Sequence, residues 1–185
     1  MSDLLLSKRY AQALFDLALE THLEKEVKND LDLINATITG SKDLKAFLKS
    51  PIAKPAIKEK VVKAIFAGRI QVLTDKFIAL VVKHRREYLL LFIPHQYTEL
   101  FKEHYNISTI EVTTAVPVDA DLRNRMLEVL GKRTGATIEL IEKVDEKIIG
   151  GFILKTGDTE YDSSLRNSLK KLKKEFKDNL YVRKF

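Results

Sequence analysis

The stretch IELIEKVDEKIIGGFILKTG, Ile138 to Gly157, decides how the second part of this chain folds. Two runs rich in Ile, Val, Leu and Phe flank a charged turn, a composition that favours strands over helix. The second run opens on Gly150–Gly151. Paired glycines ahead of a strand let backbone approach backbone where a Cβ would collide, or supply a positive φ. Working outward, Ile107 to Val116 alternates β-branched and polar residues, which predicts a strand closed by Pro117. Asp119 or Asp121 caps a helix reaching Arg133, and Gly135 ends it. Strands follow at Thr137–Val144 and Gly151–Thr156, then a turn at Gly157–Asp158 and a helix from Ser163 to Leu180. This part therefore reads β-α-β-β-α.

Before it, from Leu4 to Tyr105, the pattern is helical throughout. Ser2 or Asp3 caps a first helix that runs to Thr21. A second spans Glu24 to Thr39, with Val27, Leu31, Ile34 and Ile38 on one face and Gly40 at its end. A third covers Lys42 to Lys49 and stops at Ser50–Pro51. Pro55 suits the first turn of a fourth, which carries Ile57, Val61, Val62, Ile65 and Phe66 to Gly68. The fifth runs from Val72 to Arg86, and a sixth begins near Tyr88, kinks or restarts at Pro94 and reaches His104. The expectation is an α+β protein: a six-helix bundle over residues 1–105 and a small β-α-β-β-α domain over 106–185.

Composition narrows the function classes. With 185 residues, 45% apolar and 31% charged, the chain has the make-up of a folded, water-soluble protein. It holds no cysteine, so neither disulfides nor thiolate metal sites are available. Its longest apolar run, Tyr88 to Pro94, falls far short of the ~20 residues a membrane-spanning helix needs. The opening MSDLLLSKRYAQALFDLA lacks a basic leader with a cleavage site, so the expected location is a cytosol-like space, with any membrane reached through partners. Net charge is +6, with an excess near the end. There Arg166, Lys170, Lys171, Lys173, Lys174, Lys177, Arg183 and Lys184 face only Asp162, Glu175 and Asp178. That balance fits nucleic acid, an acidic membrane surface or an acidic protein helix, and equally a solvated helix face.

Helical projection makes the first helix informative. Leu6, Tyr10, Ala13 and Leu17 form one stripe with Leu14 at its edge, and Leu4, Ala11, Phe15 and Ala18 form a second beside it. The apolar arc covers about half the circumference, whereas reaching a core takes only ~100°. In the fifth helix Leu73, Phe77, Leu80, Val81 and Tyr88 make one stripe and Ile78 and Val82 widen it, with Asp75, Lys76, Lys83 and Arg86 on the far side. Either both helices are central and surrounded, or each shares one stripe across a groove that a partner's amphipathic helix fills. A small residue at Ala13 would let a foreign helix approach closely.

Two stretches carry a family resemblance. Ile138, Leu140, Val144, Asp145, Ile148, Gly150, Gly151, Phe152, Leu154, Lys155 and Gly157 stand in the order of the signature of the delta subunit of F-type ATP synthases. Arg9-Tyr10-Ala11-Gln12-Ala13-Leu14-Phe15 is similar to that family's opening. The family includes the oligomycin-sensitivity-conferring protein of mitochondria. The resemblance implies a non-catalytic stator subunit on the cytoplasmic face of a bacterial cell membrane, without a cofactor. Its N-terminal six-helix bundle would receive the N-terminal helix of an alpha subunit of the catalytic head in a groove between the first and fifth helices. Its C-terminal domain would hold subunit b. Carried over to this chain, the groove positions are Leu6, Tyr10, Ala13, Leu14 and Leu17, with Phe77, Leu80, Val81 and His84 opposite. Asp145, Gly150, Gly151, Phe152 and Gly157 are the structural motif. Where many relatives carry Asn-Gly-Arg at the end of the fifth helix, this chain has His84-Arg85-Arg86, and only Arg86 matches.

The residues themselves offer little for catalysis. His22, His84, His95 and His104 show no metal-ligand spacing, and His95 with Glu99 makes only a polar face. Asp158, Glu160 and Asp162 fall at a hairpin turn and at a helix cap formed by Asp162 or Ser163. Ser163–Ser164 lacks a nucleophile elbow, and Gly131 with Gly135 makes no phosphate loop. The alternative from another class is a nucleic-acid-binding or adaptor protein. It would use the Lys-rich last helix to track phosphates and Phe176 and Tyr181 to stack on bases. Against it, Leu165, Leu169, Leu172 and Phe176 recur at helical steps, which predicts a stripe packed on the small sheet.

Overall fold

The computed structural model describes residues 3–50 and 53–177, and the chain divides into two compact units, Met1–His104 and Tyr105–Phe185. Ser2 as a cap, Pro51 as a stop, the helix end at Leu180, and Tyr181 lie outside the described residues. The protein is of the α+β class, with eight α-helices and one four-stranded mixed sheet among the described residues.

In the first unit the helices are α1 (Asp3–Glu20), α2 (Glu24–Gly40), α3 (Lys42–Lys49), α4 (Pro55–Phe66), α5 (Val72–Lys83) and α6 (Ile93–His104), with a 3₁₀ turn at Glu87–Leu91. The core joins Ala11, Leu14, Phe15 and Ala18 of α1 to Val27, Leu31 and Ile34 of α2 and to Ile93, Tyr97 and Phe101 of α6. The small Ala11 and Ala18, both fully buried, let α1 lie close along α6, and Phe15 meets Tyr97 edge-on with ring centroids 5.4 Å apart.

Two buried polar ties fix α5 in place. The Asp30 carboxylate of α2 accepts hydrogen bonds from the Gln71 amide at 2.8 Å and the Thr74 hydroxyl at 2.7 Å. It thereby satisfies the start of α5, whose own Gln71 makes no side-chain cap. Beyond the other end, Lys58 of α4 pairs with Glu87 and donates to the carbonyls of Leu48 at 3.0 Å and Ser50 at 2.6 Å. A lysine buried this deeply requires a carboxylate and carbonyls around it, because an unpaired charge away from water is costly.

Helix α5 is shorter than its sequence predicts, ending at Lys83 and not at Arg86. Arg85 takes a left-handed φ of +57°. Its amide donates to the Val82 carbonyl at 2.9 Å while the Arg86 amide donates to Val81 at 3.0 Å. This is the Schellman closure that usually employs glycine. A side chain such as that of Arg85 meets this left-handed conformation only under strain.

In the second unit the sheet order is β2-β1-β3-β4, with β1 (Ile107–Thr114), β2 (Thr137–Val144), β3 (Phe152–Thr156) and β4 (Thr159–Asp162). β1 pairs parallel with β2 and antiparallel with β3, and β3 pairs antiparallel with β4. Helix α7 (Ala120–Thr134) makes the crossover between the parallel strands, capped by Asp119, whose carboxylate accepts from the Leu122 amide at 2.7 Å. Gly135 closes α7 at φ +66°. The pattern β-α-β-β-α misses β4, because Thr-Glu-Tyr-Asp is an exposed edge strand without apolar alternation.

The glycine pair acts through Gly151. At φ +78°, a Cβ there would stand 2.4 Å from the Ser163 carbonyl oxygen. This close approach lets the Ser163 amide donate to Phe152 at 3.0 Å and the Leu165 amide donate to Gly150 at 2.9 Å. Gly157, at φ +52°, turns the two-residue loop between β3 and β4. Asp145 accepts from the Lys147 amide at 3.0 Å and starts a 3₁₀ turn at Glu146–Ile148.

Helix α8 (Leu165–Lys177) is capped by Ser164, whose hydroxyl accepts from the Asn167 amide at 3.1 Å. Asp162 accepts from the Ser164 amide at 2.9 Å, and hydrogen bonds from the Ser164 hydroxyl and amide hold its carboxyl below the usual range. Contrary to expectation, the stripe of α8 does not pack on the sheet: Leu165, Leu169, Leu172 and Phe176 are all exposed, Phe176 at 73%. The helix leans on the turn Glu146–Ile148, where Ile148 is buried. The backbone clamp at Gly150–Gly151 fixes where α8 starts.

Candidate partner-binding groove

Burial splits the two stripes of α1. Ala11, Phe15 and Ala18 go inward, which turns Leu6, Tyr10, Ala13 and Leu17 toward α5. On α5 the division is similar: Thr74, Ile78, Val81 and Val82 are buried, and Leu73, Phe77 and Leu80 face α1. Between them lies an open trough of about 560 Å³ lined by Leu6, Arg9, Tyr10, Ala13, Leu14 and Leu17 on one bank. Leu73, Lys76, Phe77 and Leu80 form the other bank, joined by Arg86. Tyr10 and Phe77 bridge the floor edge-on, with ring centroids 6.3 Å apart. Leu17 and Leu80 remain 44% and 49% exposed on opposite banks.

Seven of the nine sequence-derived groove positions therefore come together: Leu6, Tyr10, Ala13, Leu14, Leu17, Phe77 and Leu80. Two do not. Val81 is fully buried in the core, one step too far around α5. His84 is exposed at the end of α5 and stands outside the lining, because the helix has already closed. Arg86, expected on the far side, instead lies against the trough. The left-handed turn at Arg85 redirects it, and its Nη1 donates to the Tyr10 hydroxyl at 2.9 Å. A turn set by an arginine where glycine is usual carries no sequence signal for this. At the same end the Tyr88 hydroxyl faces Asp3, and burial first, then the Asp3 charge, pushes it up from the ordinary phenol value.

The motif residues are scaffold in the second unit. Asp145 starts a turn, Gly151 admits the Ser163 backbone while Gly150 makes room for the Leu165 side chain, Phe152 pairs with Thr114 across the sheet, and Gly157 makes the hairpin. A second apolar hollow of about 480 Å³ lies between α7 and the sheet, lined among others by Leu122, Met126, Val129, Phe152 and Leu154. Among the described residues no three His, Asp or Glu side chains cluster to hold an ion, and no helix is long and apolar enough to cross a membrane.

Both units therefore offer open apolar hollows and exposed leucines and no cluster of catalytic side chains among the described residues, the make-up of a structural protein. The comparisons with known proteins say which kind. The family model described as ATP synthase delta (OSCP) subunit matches residues 6–176. An ATP synthase subunit delta of Christiangramia forsetii is 35% identical over 178 residues, covering 96% of each chain. That of Cytophaga hutchinsonii is 32% identical over 180 residues, covering 97% of this chain and 98% of the relative. A chain of the Toxoplasma gondii mitochondrial ATP synthase hexamer shares the fold with a TM-score of 0.67 at 18% identity, over 95% of this chain and 99% of that one. The chain belongs to the ATP synthase delta (OSCP) subunit family, whose members are structural subunits of the peripheral stalk and not catalysts.

Proposed function

We propose that the trough between α1 and α5 seats the amphipathic N-terminal helix of an alpha subunit of the catalytic head, and that the outer face of α8 holds subunit b. The six helices of the first unit then form the bundle that caps the head, and the small unit grips the stalk that rises from the membrane. The chain meets the membrane only through these partners, on the cytoplasmic face of a bacterial cell, and binds no nucleic acid. Its work is mechanical. Proton-driven rotation of the central shaft applies torque to the head, and ATP synthesis requires the stalk to resist it.

The observation that carries this reading is the open apolar trough with two banks. A helix laid there covers Leu17 and Leu80, each contributing about 1 kcal/mol for the half of its surface still in water. Ala13 leaves the floor low enough for close approach. An interface near the usual ~1,600 Å² with a few such anchors supplies tight, slowly released binding. For α8, the exposed leucine stripe with lysines beside it supports an amphipathic partner of opposite charge.

The test is a titration of the alpha subunit's N-terminal peptide into the full chain, followed by NMR. Resonances of Tyr10, Ala13, Phe77 and Leu80 should shift together and saturate. Addition of excess peptide without movement at these positions would remove the seat from α1 and α5.

A further inference from the structure

We propose that Arg86 is the specificity-determining residue of the trough, and that it takes a carboxylate from the incoming amphipathic helix. The inference rests on the trough being a helix seat and adds what that helix must carry. Three of the lining side chains, Arg9, Lys76 and Arg86, are cationic and none is acidic. Among the described residues neither Lys76 nor Arg86 has a carboxylate partner in the free chain. Asp3, at the same end, faces the Tyr88 hydroxyl at 3.5 Å and is exposed. A positive rim around an apolar floor favours a helix with apolar residues on one face and Glu or Asp beside them.

Arg86 differs from Lys76 in being held. One guanidinium N–H donates to the Tyr10 hydroxyl at 2.9 Å, and the guanidinium carbon lies 5.7 Å from the Tyr10 ring centroid. Tyr10 is itself set edge-on against Phe77. Part of the side-chain entropy is therefore lost before any partner arrives. A guanidinium has five N–H donors. The Tyr10 contact uses one, which leaves a planar pair for a bidentate carboxylate. Arg86 is also half-buried, where water competes less for that bond than at a fully exposed lysine. Its place beside Tyr10 puts the acid over the half of the trough nearer the start of α1.

The experiment measures binding of two synthetic peptides to the full chain by calorimetry. One is the alpha subunit's N-terminal helix, and the other is the same peptide with every Glu and Asp changed to Gln and Asn. The acidic peptide should bind the unaltered chain about tenfold more tightly than the neutral one, the worth of one charge-assisted bidentate contact. Arg86→Gln should bring the two peptides to equal affinity, and Arg86→Lys should restore only part of the difference. Tyr10→Phe, which keeps the ring but frees the guanidinium, should cost the acidic peptide about threefold. Equal affinities of both peptides for the unaltered chain would overturn the role of Arg86 while leaving the seat intact. If neither peptide binds, the seat itself falls, and a chain that sediments as a dimer in that case assigns the trough to a second copy. The comparison of peptides on the unaltered chain holds even if a variant folds poorly.

Discussion

The trough of the helical unit and the stripe of α8 expose similar side chains in opposite shapes. In the trough, leucines on two helices face each other across a floor of Tyr10 and Phe77. On α8, Leu165, Leu169, Leu172 and Phe176 stand on one convex helix, with Lys170, Lys173 and Lys177 between and beside them. A concave apolar site recognises by fit, and a ligand inside it is desolvated on both sides. A convex stripe has no second wall, so its partner must bring one, and the lysines help to find it. For the proposed partners, the curvature of each apolar surface says which side supplies the cavity. Binding at the trough should weaken only modestly with salt, by what screening takes from the single Arg86 contact, whereas binding at α8 should weaken steeply.

Substitutions can break this contrast. The largest effect is expected from Gly151→Ala, because the new Cβ meets a backbone oxygen that cannot move aside. It should destabilise the second unit by roughly 4 kcal/mol, read as lost amide protection there while the helical unit stays protected. Ala13→Asp should weaken alpha-peptide binding by about 3 kcal/mol, since the longer charged side chain holds the docking helix off and competes with its carboxylate for the cationic rim. The free chain should melt unchanged, because Ala13 is exposed. Leu169→Lys on α8 should cost subunit b binding about 2 kcal/mol and folding almost nothing. A marked drop in its unfolding midpoint would mean that the stripe is core after all. The smallest change is a gain. Arg85→Gly should stabilise the helical unit by about 1 kcal/mol in denaturant titration, by relieving the left-handed turn.

Much of this was legible in the sequence, and the failures have local causes. The period of α1 revealed two stripes, but which one faced outward depended on α6, a neighbour that Ala11 and Ala18 admit closely. The end of α5 was misread because no glycine or proline stands between Val72 and Pro94. Hydrogen bonds of the Arg85 and Arg86 amides close it instead, which leaves His84 outside the trough lining and Arg86 in it. Val81 sits at the border of two faces that helical projection cannot separate. Thr159–Asp162 was invisible as a strand because an edge open to water needs no pattern. The stripe of α8 looked like core because periodicity records amphipathicity and not what lies opposite. By contrast the glycine pair suggested a close backbone approach or a positive φ, and Gly151 has both, while Gly150 makes room for a leucine side chain.

The two polar ties on α5 bear on stiffness. Apolar contacts are non-directional, so packed helices can slide past one another at little cost. Hydrogen bonds lose their worth within a fraction of an ångström and a few tens of degrees. Asp30 fastens the first turn of α5, and Lys58 rivets the segment just beyond its last turn to the end of α3. A sideways pull on anything lodged against α5 is thus met by bonds that resist shear at both ends of the helix. A beam clamped at each end does not creep sideways under load, and here a single carboxylate and a single ammonium are the clamps.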